Sequence, residues 1–405
     1  MTTVLGEQAA LVITTMDAAK DAYRQKDLRQ ALYDAGEVVM AGVLVNLHGE
    51  EHRSRRRLEN RLFRRDTLAH FERDLFPAVI DETLAPHVAA GRAELVSLGH
   101  QLMMNLAALN AGVDRQEGTA AETHRLYGYM MKFIEGATLA HATGDRARIS
   151  DEIRAALDAF EAEFLAPSIA RRAAALEQVA RGELAEEALP RDVLTILLRH
   201  RDELGLTPDT LAREIAFFLL AGAHTSATAF TRALHHLFEW AKRHPEDAEA
   251  VRSDRLFVQR CVHETVRLHP SSPIGARRAL EDVVLQDGTV LPRGALVVID
   301  LVAVNRDPAV YGPDAAEFNP RRPLADGVAP YGLSFGHGMH ACIGQELAAG
   351  FVSEDTGADH LYGLVTEAVM AAFERNVRPD PANPPVVDSR TARPYWASYP
   401  VLLGG

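Results

Sequence analysis

The chain has 405 residues, 47% of them hydrophobic, and a formal charge of −13. That balance supplies a sizeable core and excludes a nucleic-acid partner held by basic surface charge. No apolar run reaches the roughly 18 residues of a membrane span, and Glu7 interrupts the only leader-like candidate, which predicts a soluble, cytoplasmic protein.

No Gly/Ser/Pro-rich linker, repeat or low-complexity tract divides the sequence, so one domain over 1–405 is expected. Up to about residue 130 the pattern is of several helices joined by short polar turns, and 131–205 continues in that style. The Ala-rich stretch 152–187 predicts one or two long amphipathic helices. Thr207-Pro208-Asp209 is a helix start, with Thr at the cap and Pro at the first position. From there no breaker occurs before Arg243, and His244-Pro245 stops the helix. Gly222 in its middle costs about 0.5–1 kcal/mol against Ala, which predicts close approach of something flat. Further on, Asp287-Gly288 between Val283-Val284-Leu285 and Thr289-Val290-Leu291 reads as a β-hairpin, and Ala295 to Ile299 as a short strand. Residues 304–334 are proline-rich and aperiodic, a long irregular segment of the kind that is functional or tightly packed. The segment 345–375 reads as helix again.

Between those last two lies Phe335-Gly336-His337-Gly338-Met339-His340-Ala341-Cys342-Ile343-Gly344. One cysteine sits in a glycine-punctuated loop just before a predicted helix. A thiolate there can accept backbone N–H bonds and face the positive end of that helix. Gly338 and Gly344 let the backbone turn tightly and approach a flat partner. These are the needs of an axial cysteine ligand to a haem iron. A zinc site on His337, His340 and Cys342 competes, but structural zinc takes paired ligands and no second Cys pair exists. A buried structural cysteine is the other alternative, and the lack of C-x-x-C-H rules out covalent haem attachment.

The pattern F-G-x-G-x-H-x-C-x-G resembles the haem-binding loop of the cytochrome P450 family. The resemblance implies a mainly α fold with a small β region and one long central helix. It also implies haem b (iron protoporphyrin IX) with Cys342 as metal ligand and Phe335, Gly336, His340 and Gly344 among its contacts. With Cys342 assigned to iron, Cys261 is left as a small core residue and no disulfide is expected.

Other segments carry the same resemblance. Glu264 and Arg267 share a helical face and, with Arg322, resemble the family's structural triad that holds the cysteine loop. His52 and Arg56, at i,i+4, resemble the partners of the haem propionates, together with Arg277 and His340. Arg278 is a rival to Arg277, and a solvated basic face is the alternative for His52 and Arg56. The surplus of Arg53, Arg55, Arg57, Arg61, Arg64 and Arg65 predicts a docking patch for an acidic electron donor. In the long helix Ala221, Gly222 and Thr225 match the family's oxygen-side motif, with His224 where an acid is expected. Histidine can relay protons near neutrality, alongside Ser226; the alternative is a His224 facing away from the haem. Asn305-Arg306-Asp307-Pro308 matches a family turn without chemistry of its own. Phe218, Pro273 and Ile274, with Ala221 and Gly222, are the expected pocket lining.

Only 51 residues precede His52, fewer than the resemblance to the family implies, so a shortened or missing N-terminal sheet edge and first helix are expected. The resemblance implies a monooxygenase that inserts one atom of O2 into a small apolar substrate. Electrons would come from NAD(P)H through a reductase and a ferredoxin or similar acidic donor. A peroxide-driven or isomerising haem-thiolate enzyme and a non-catalytic haem sensor are the alternatives.

Overall fold

The computed structural model describes residues 3–4, 7–139, 145–353, 357–389 and 395–404. A four-stranded sheet near the N-terminus gathers strands from both ends of the sequence. Its members are β1 (Leu11–Ile13), β2 (Leu28–Gln30), β3 (Ile274–Ala279) and β4 (Leu296–Asp300), in the order β1-β4-β3-β2. The β1–β4 pair is parallel and the other two pairs are antiparallel. A helix, α1 (Met16–Arg24), lies between β1 and β2 and packs Ala19, Ala22 and Tyr23 into a core shared with this sheet. The N-terminal sheet edge and first helix are therefore present, against the expectation from the short stretch before His52.

The rest is helical. The elements that frame the site are α2 (Gly49–Glu59), α3 (Leu95–Ala111), α4 (Pro208–Arg243) and α5 (Arg255–Leu268). The expected long helix runs over the predicted residues. Thr207 Oγ1 accepts from Thr210 N at 3.1 Å and Pro208 occupies the first turn, where its missing N–H costs nothing. Its apolar residues sit in the middle of the largest core cluster. The Ala-rich stretch forms helices over Arg146–Phe160 and Ala166–Ala180, joined by a π turn, and ends there. The predicted hairpin pairs Val283 with Leu291 and Val284 with Val290.

Gly222 has a packing role besides the close approach to a flat group that the sequence suggested. A Cβ there would stand 3.2 Å from Ala107 Cβ, so the glycine lets α3 come close against α4. Gly99 serves the same purpose near the start of α3, against Phe230 and Thr231.

The segment 345–375 is not one helix. After Cys342 come α6 (Gln345–Ala349) and α7 (Leu364–Glu374), with no helix among the described residues between them. Gly350 and Gly363 have φ of 73° and 86°, outside the helical region. Their backbones touch so closely that a Cβ on either would overlap the neighbouring segment. Gln259 Nε2 donates to the carbonyls of Ala349, Phe351 and Tyr362, and Glu72 accepts from the N–H groups of Tyr362 and Gly363. Those side chains close the base of the excursion.

A buried ion cluster ties α5 to the irregular segment. Arg267, at 0% exposure, donates to both oxygens of Glu264 (2.6 and 2.7 Å) and to the carbonyls of Asn305, Ala315 and Glu317. All five guanidinium N–H groups are thereby used. Arg322 adds a contact to Glu264 Oε1 at 3.3 Å and bonds to Asp314 and to the Tyr311 carbonyl. Replacing Arg267 leaves the Asn305 and Ala315 carbonyls without their donor and Glu264 with only Arg322 and the Asn319 N–H, so Arg267→Ala should cost about 3–5 kcal/mol. Arg267→Lys should be little better, since an ammonium has three donors. Urea unfolding of the variants checks this; a loss under about 1 kcal/mol would show the cluster to be dispensable.

Candidate haem site

Asn305 carries the link from that cluster to the cysteine loop. It is fully buried: Nδ2 donates to Arg267 O at 3.0 Å and Ser334 Oγ at 2.8 Å, while Oδ1 accepts from Leu333 N at 2.8 Å. Ser334 Oγ in turn donates to Val266 O at 2.7 Å. The turn expected to lack chemistry is thus the bracket that fixes the start of the loop. From there the backbone folds back, and Cys342 N donates to Phe335 O at 2.7 Å. Gly336 and Gly338 have φ near 70°, and a Cβ on Gly338 would lie 2.6 Å from Tyr23 O on α1. Only glycine meets both demands. Arg56 Nη2 donates to Ala341 O at 2.8 Å, fastening the loop to α2.

The loop forms one wall of a cavity of about 300 Å³. Ala221, Gly222, Thr225, Ser226 and Ala229 of α4 contribute to the lining. His52 and Arg56 of α2, Arg277 of β3 and His340 belong to it as well, with Phe218 and Ile274. Arg277 is buried, bonded to Gln30 Oε1 at 2.7 Å and held over the Tyr23 ring. Arg278 points to the other face and pairs with Glu7 at 3.0 Å. Pro273 is not among the lining residues; its carbonyl accepts from Leu301 N, and Ser271 and Ser272 line the cavity beside Ile274. Those serines and Tyr33 carry no signal in the sequence, because nothing there marks an irregular segment as facing a cavity.

Cys342 opens onto this space rather than onto bulk solvent. The surrounding protein pushes its thiol up, while a backbone bond from Gly344 and the Arg56 guanidinium pull it down. The polar edge of the cavity is rich in donors and unsatisfied. Both ring nitrogens of His52 and Nε2 of His340 are buried without a partner, with the two rings 4.3 Å apart. Burial first, then neighbouring cationic groups, holds His52 down at about 4 and His340 at about 3. Among the described residues, no Asp or Glu lines the cavity. A flat apolar group bearing two carboxylates answers these orphaned donors and the repulsion among them, so the residues present fit haem b with its propionates against His52, Arg56, Arg277 and His340.

Residues 147–350, half of the chain, match the family model described as cytochrome P450. The chain belongs to the cytochrome P450 family. It is 31% identical over 183 residues to human cytochrome P450 4F12, covering 39% of this chain and 34% of that protein. To cytochrome P450 monooxygenase sphH of Aspergillus fumigatus it is 32% identical over 199 residues, 42% and 36% of the two lengths. The chain thus spans about a third of the length of these relatives. Among solved structures, CalO2 superposes with a TM-score of 0.70 at 20% identity, covering 97% of this chain and 91% of that one. P450BioI, in complex with an acyl carrier protein bearing hexadec-9Z-enoic acid, gives 0.70 at 18% identity over 99% and 94%. These likenesses give the P450 fold.

Two expectations change at this site. Arg55 does not belong to a surface patch: it is buried and pairs with Glu214 of α4 at 2.6 Å. In the stretch 51–59, i,i+3 spacing puts Arg55 on the face shared with His52 and Glu59, whereas Arg53, Arg57, Arg61, Arg64 and Arg65 are exposed. His224 does not line the cavity; its ring meets His100 of α3.

Behind Arg55 lies Glu59, at 0% exposure with neither oxygen bonded. Glu214 already holds Arg55 and accepts from Leu44 N at 3.1 Å. With one guanidinium for two buried carboxyls, the proton resides on Glu59, whose pKa burial raises well above the usual carboxylate value and Glu214 raises further. A raised folded-state pKa contributes stability that is full below the unfolded value, about 4.3, and is lost as pH rises through the folded value. The melting temperature should therefore fall as pH rises above about 4.3, and Glu59→Gln should flatten that fall. An unchanged slope would mean that Glu59 is ionised in the fold.

Proposed function

We propose that this protein is a haem-thiolate monooxygenase that inserts one atom of O2 into a small, neutral, apolar substrate. The observation that carries the reading is Cys342 facing a cavity whose lining also includes Thr225, with unpartnered histidine nitrogens and two guanidinium groups at its edge. Haem bound there by the thiolate supplies reductive activation of dioxygen and transfer of an oxygen atom. The chain's own residues do the rest.

The Cys342 sulfur is the ligand atom, kept available by the Gly344 backbone N–H and Arg56. His52, Arg56, Arg277 and His340 hold the carboxylates and so fix the orientation of the ring. Thr225 Oγ1 donates to Ala221 O at 2.7 Å, a bond within α4 that a rotation about χ1 would release. That hydroxyl can hold a proton or a water at the cavity face of the helix, with Ser226 beside it. Leu32, Tyr33, Phe217, Phe218, Ile274 and Leu301 are lining residues, mostly apolar, and exclude water from the substrate.

Electrons are assigned to an external ferredoxin-type donor and its reductase, drawing on NAD(P)H. Arg57, Arg61 and Arg64, exposed on the α2 side, supply complementary charge. No helix among the described residues is long and apolar enough to cross a membrane; together with the acidic, two-cysteine composition this supports a cytoplasmic setting. A second reading, a peroxide-driven enzyme, draws on one observation: His224 stands where an acid is expected and does not line the cavity.

Thr225→Ala decides between them. With a ferredoxin, its reductase and NADPH, the variant should bind haem normally yet form product on the order of 100-fold more slowly, releasing hydrogen peroxide instead. If peroxide alone drives wild-type turnover and NADPH does not, or if Thr225→Ala leaves coupling intact, the monooxygenase reading fails.

A further inference from the structure

α3 brings Leu106, Ala107 and Asn110 to the cavity, residues close enough in sequence to share one helical face. Two of them are apolar. Asn110 is a primary amide, only 7% exposed, and its Nδ2 is buried without a hydrogen-bond partner. Asn105 on the same helix makes the contrast. Its Nδ2 donates to Thr83 Oγ1 at 2.9 Å, and it is not among the lining residues. One amide is used by the fold and the other is left open on the cavity wall. A buried N–H without a partner costs stability that a leucine of similar shape would not.

The packing of α3 on α4 locates this donor. A Cβ on Gly99 would meet Phe230, Thr231 and the Ala227 carbonyl, and a Cβ on Gly222 would meet Ala107. The two helices therefore run antiparallel. One turn beyond Ala107 on α3 corresponds to one turn before Gly222 on α4, where Phe217 and Phe218 line the cavity. Asn110 thus stands at the level of those rings, about two turns of α4 from Thr225. The groups that fit the propionates come from α2, β3 and the cysteine loop, so α3 adds nothing to that set. Neither α3 nor α4 brings a cationic side chain to the lining, and a carboxylate held here would lack a counter-charge. A carbonyl oxygen asks for a donor and nothing else, whereas a hydroxyl brings a proton that needs an acceptor in turn.

We propose that Asn110 determines specificity by donating from Nδ2 to a neutral carbonyl oxygen of the substrate, at the Phe217–Phe218 end of the cavity. The substrate is then an apolar molecule that bears a ketone or ester rather than a plain hydrocarbon. The inference rests on the monooxygenase reading for the existence of a substrate. Its content is binding alone, and no bond between heavy atoms forms or breaks at Asn110.

Optical titration of the ferric holoenzyme with cyclooctanone and with cyclooctane, probes of similar shape, provides the test. Without a partner the ketone would bind more weakly than the hydrocarbon, because it gives up its hydrogen bonds to water. The wild type should bind cyclooctanone at least as tightly as cyclooctane. Asn110→Leu should weaken cyclooctanone on the order of 10-fold and leave cyclooctane unchanged or tighter. Ser272→Ala, which removes another hydroxyl from the lining, should keep the wild-type preference. The substrate-free Leu variant should melt about 2 °C higher, since a buried unpaired donor has gone and no bond with it. Tighter binding of cyclooctane by the wild type, a preference unchanged in Asn110→Leu, or a Leu variant that melts lower would each overturn the inference. If the Leu variant does not fold, Asn110→Ala takes its place in the titrations, with the same outcomes. The carbon monoxide band of the reduced samples reports separately on the haem-thiolate reading, so failure of one is distinguishable from failure of the other.

Discussion

The guanidinium of Arg267 is the point on which the site depends. Its five donors are shared between one carboxylate and three carbonyls belonging to a segment with almost no regular structure. A chain of this kind has no ladder of its own to satisfy its backbone, so buried carbonyls need donors from elsewhere. Arg267 and Arg322 provide them, and the carboxylates of Glu264 and Asp314 balance the two charges. From the Asn305 carbonyl and side chain the constraint passes to Ser334, and from Ser334 to the loop that presents Cys342. The cysteine is held by a sequence of bonds that begins about 75 residues earlier, on α5.

α4 supplies the second constraint, because it serves two faces at once. One face carries Ala221, Gly222, Thr225 and Ser226 onto the cavity, with α3 close against Gly222, and the side that bears His224 meets His100 of α3. Close packing of α3 is possible only with small residues at the crossing. The same crossing brings His100 within reach of His224. Where α2 meets the N-terminal half of α4, Glu59, Arg55 and Glu214 are buried together. Placement of the haem-side residues and burial of the ionisable ones thus follow from one helix position.

Much of this is legible in the sequence wherever a local rule decides the outcome. Thr207 and Pro208 fix the start of α4, His244-Pro245 its end, and Asp287-Gly288 the hairpin. The cysteine loop is legible because glycine at 336 and 338 answers a steric demand that no other residue meets. Sequence reasoning fails where tertiary context overrides propensity. Residues 345–375 are rich in helix formers, yet the contact between Gly350 and Gly363 diverts the chain, and the residues that stabilise the diversion, Gln259 and Glu72, lie far away. Arg55 reads as one of a run of surface arginines, since its partner Glu214 comes 159 residues later. β3 escapes notice because Gly275 and Arg277-Arg278 do not look like a strand; its pairing with β4 and β2 makes it one.

The central claim is that Cys342 would hold the iron of a bound haem. Its most direct measurement is the absorption spectrum of the dithionite-reduced protein with carbon monoxide, compared with Cys342→Ala and Cys342→His. The account predicts a Soret band at the long-wavelength position of thiolate ligation, absent in the Ala variant and shifted to shorter wavelength in the His variant. A wild-type band already at the short-wavelength position of histidine-ligated haem, or no haem at all, would contradict it.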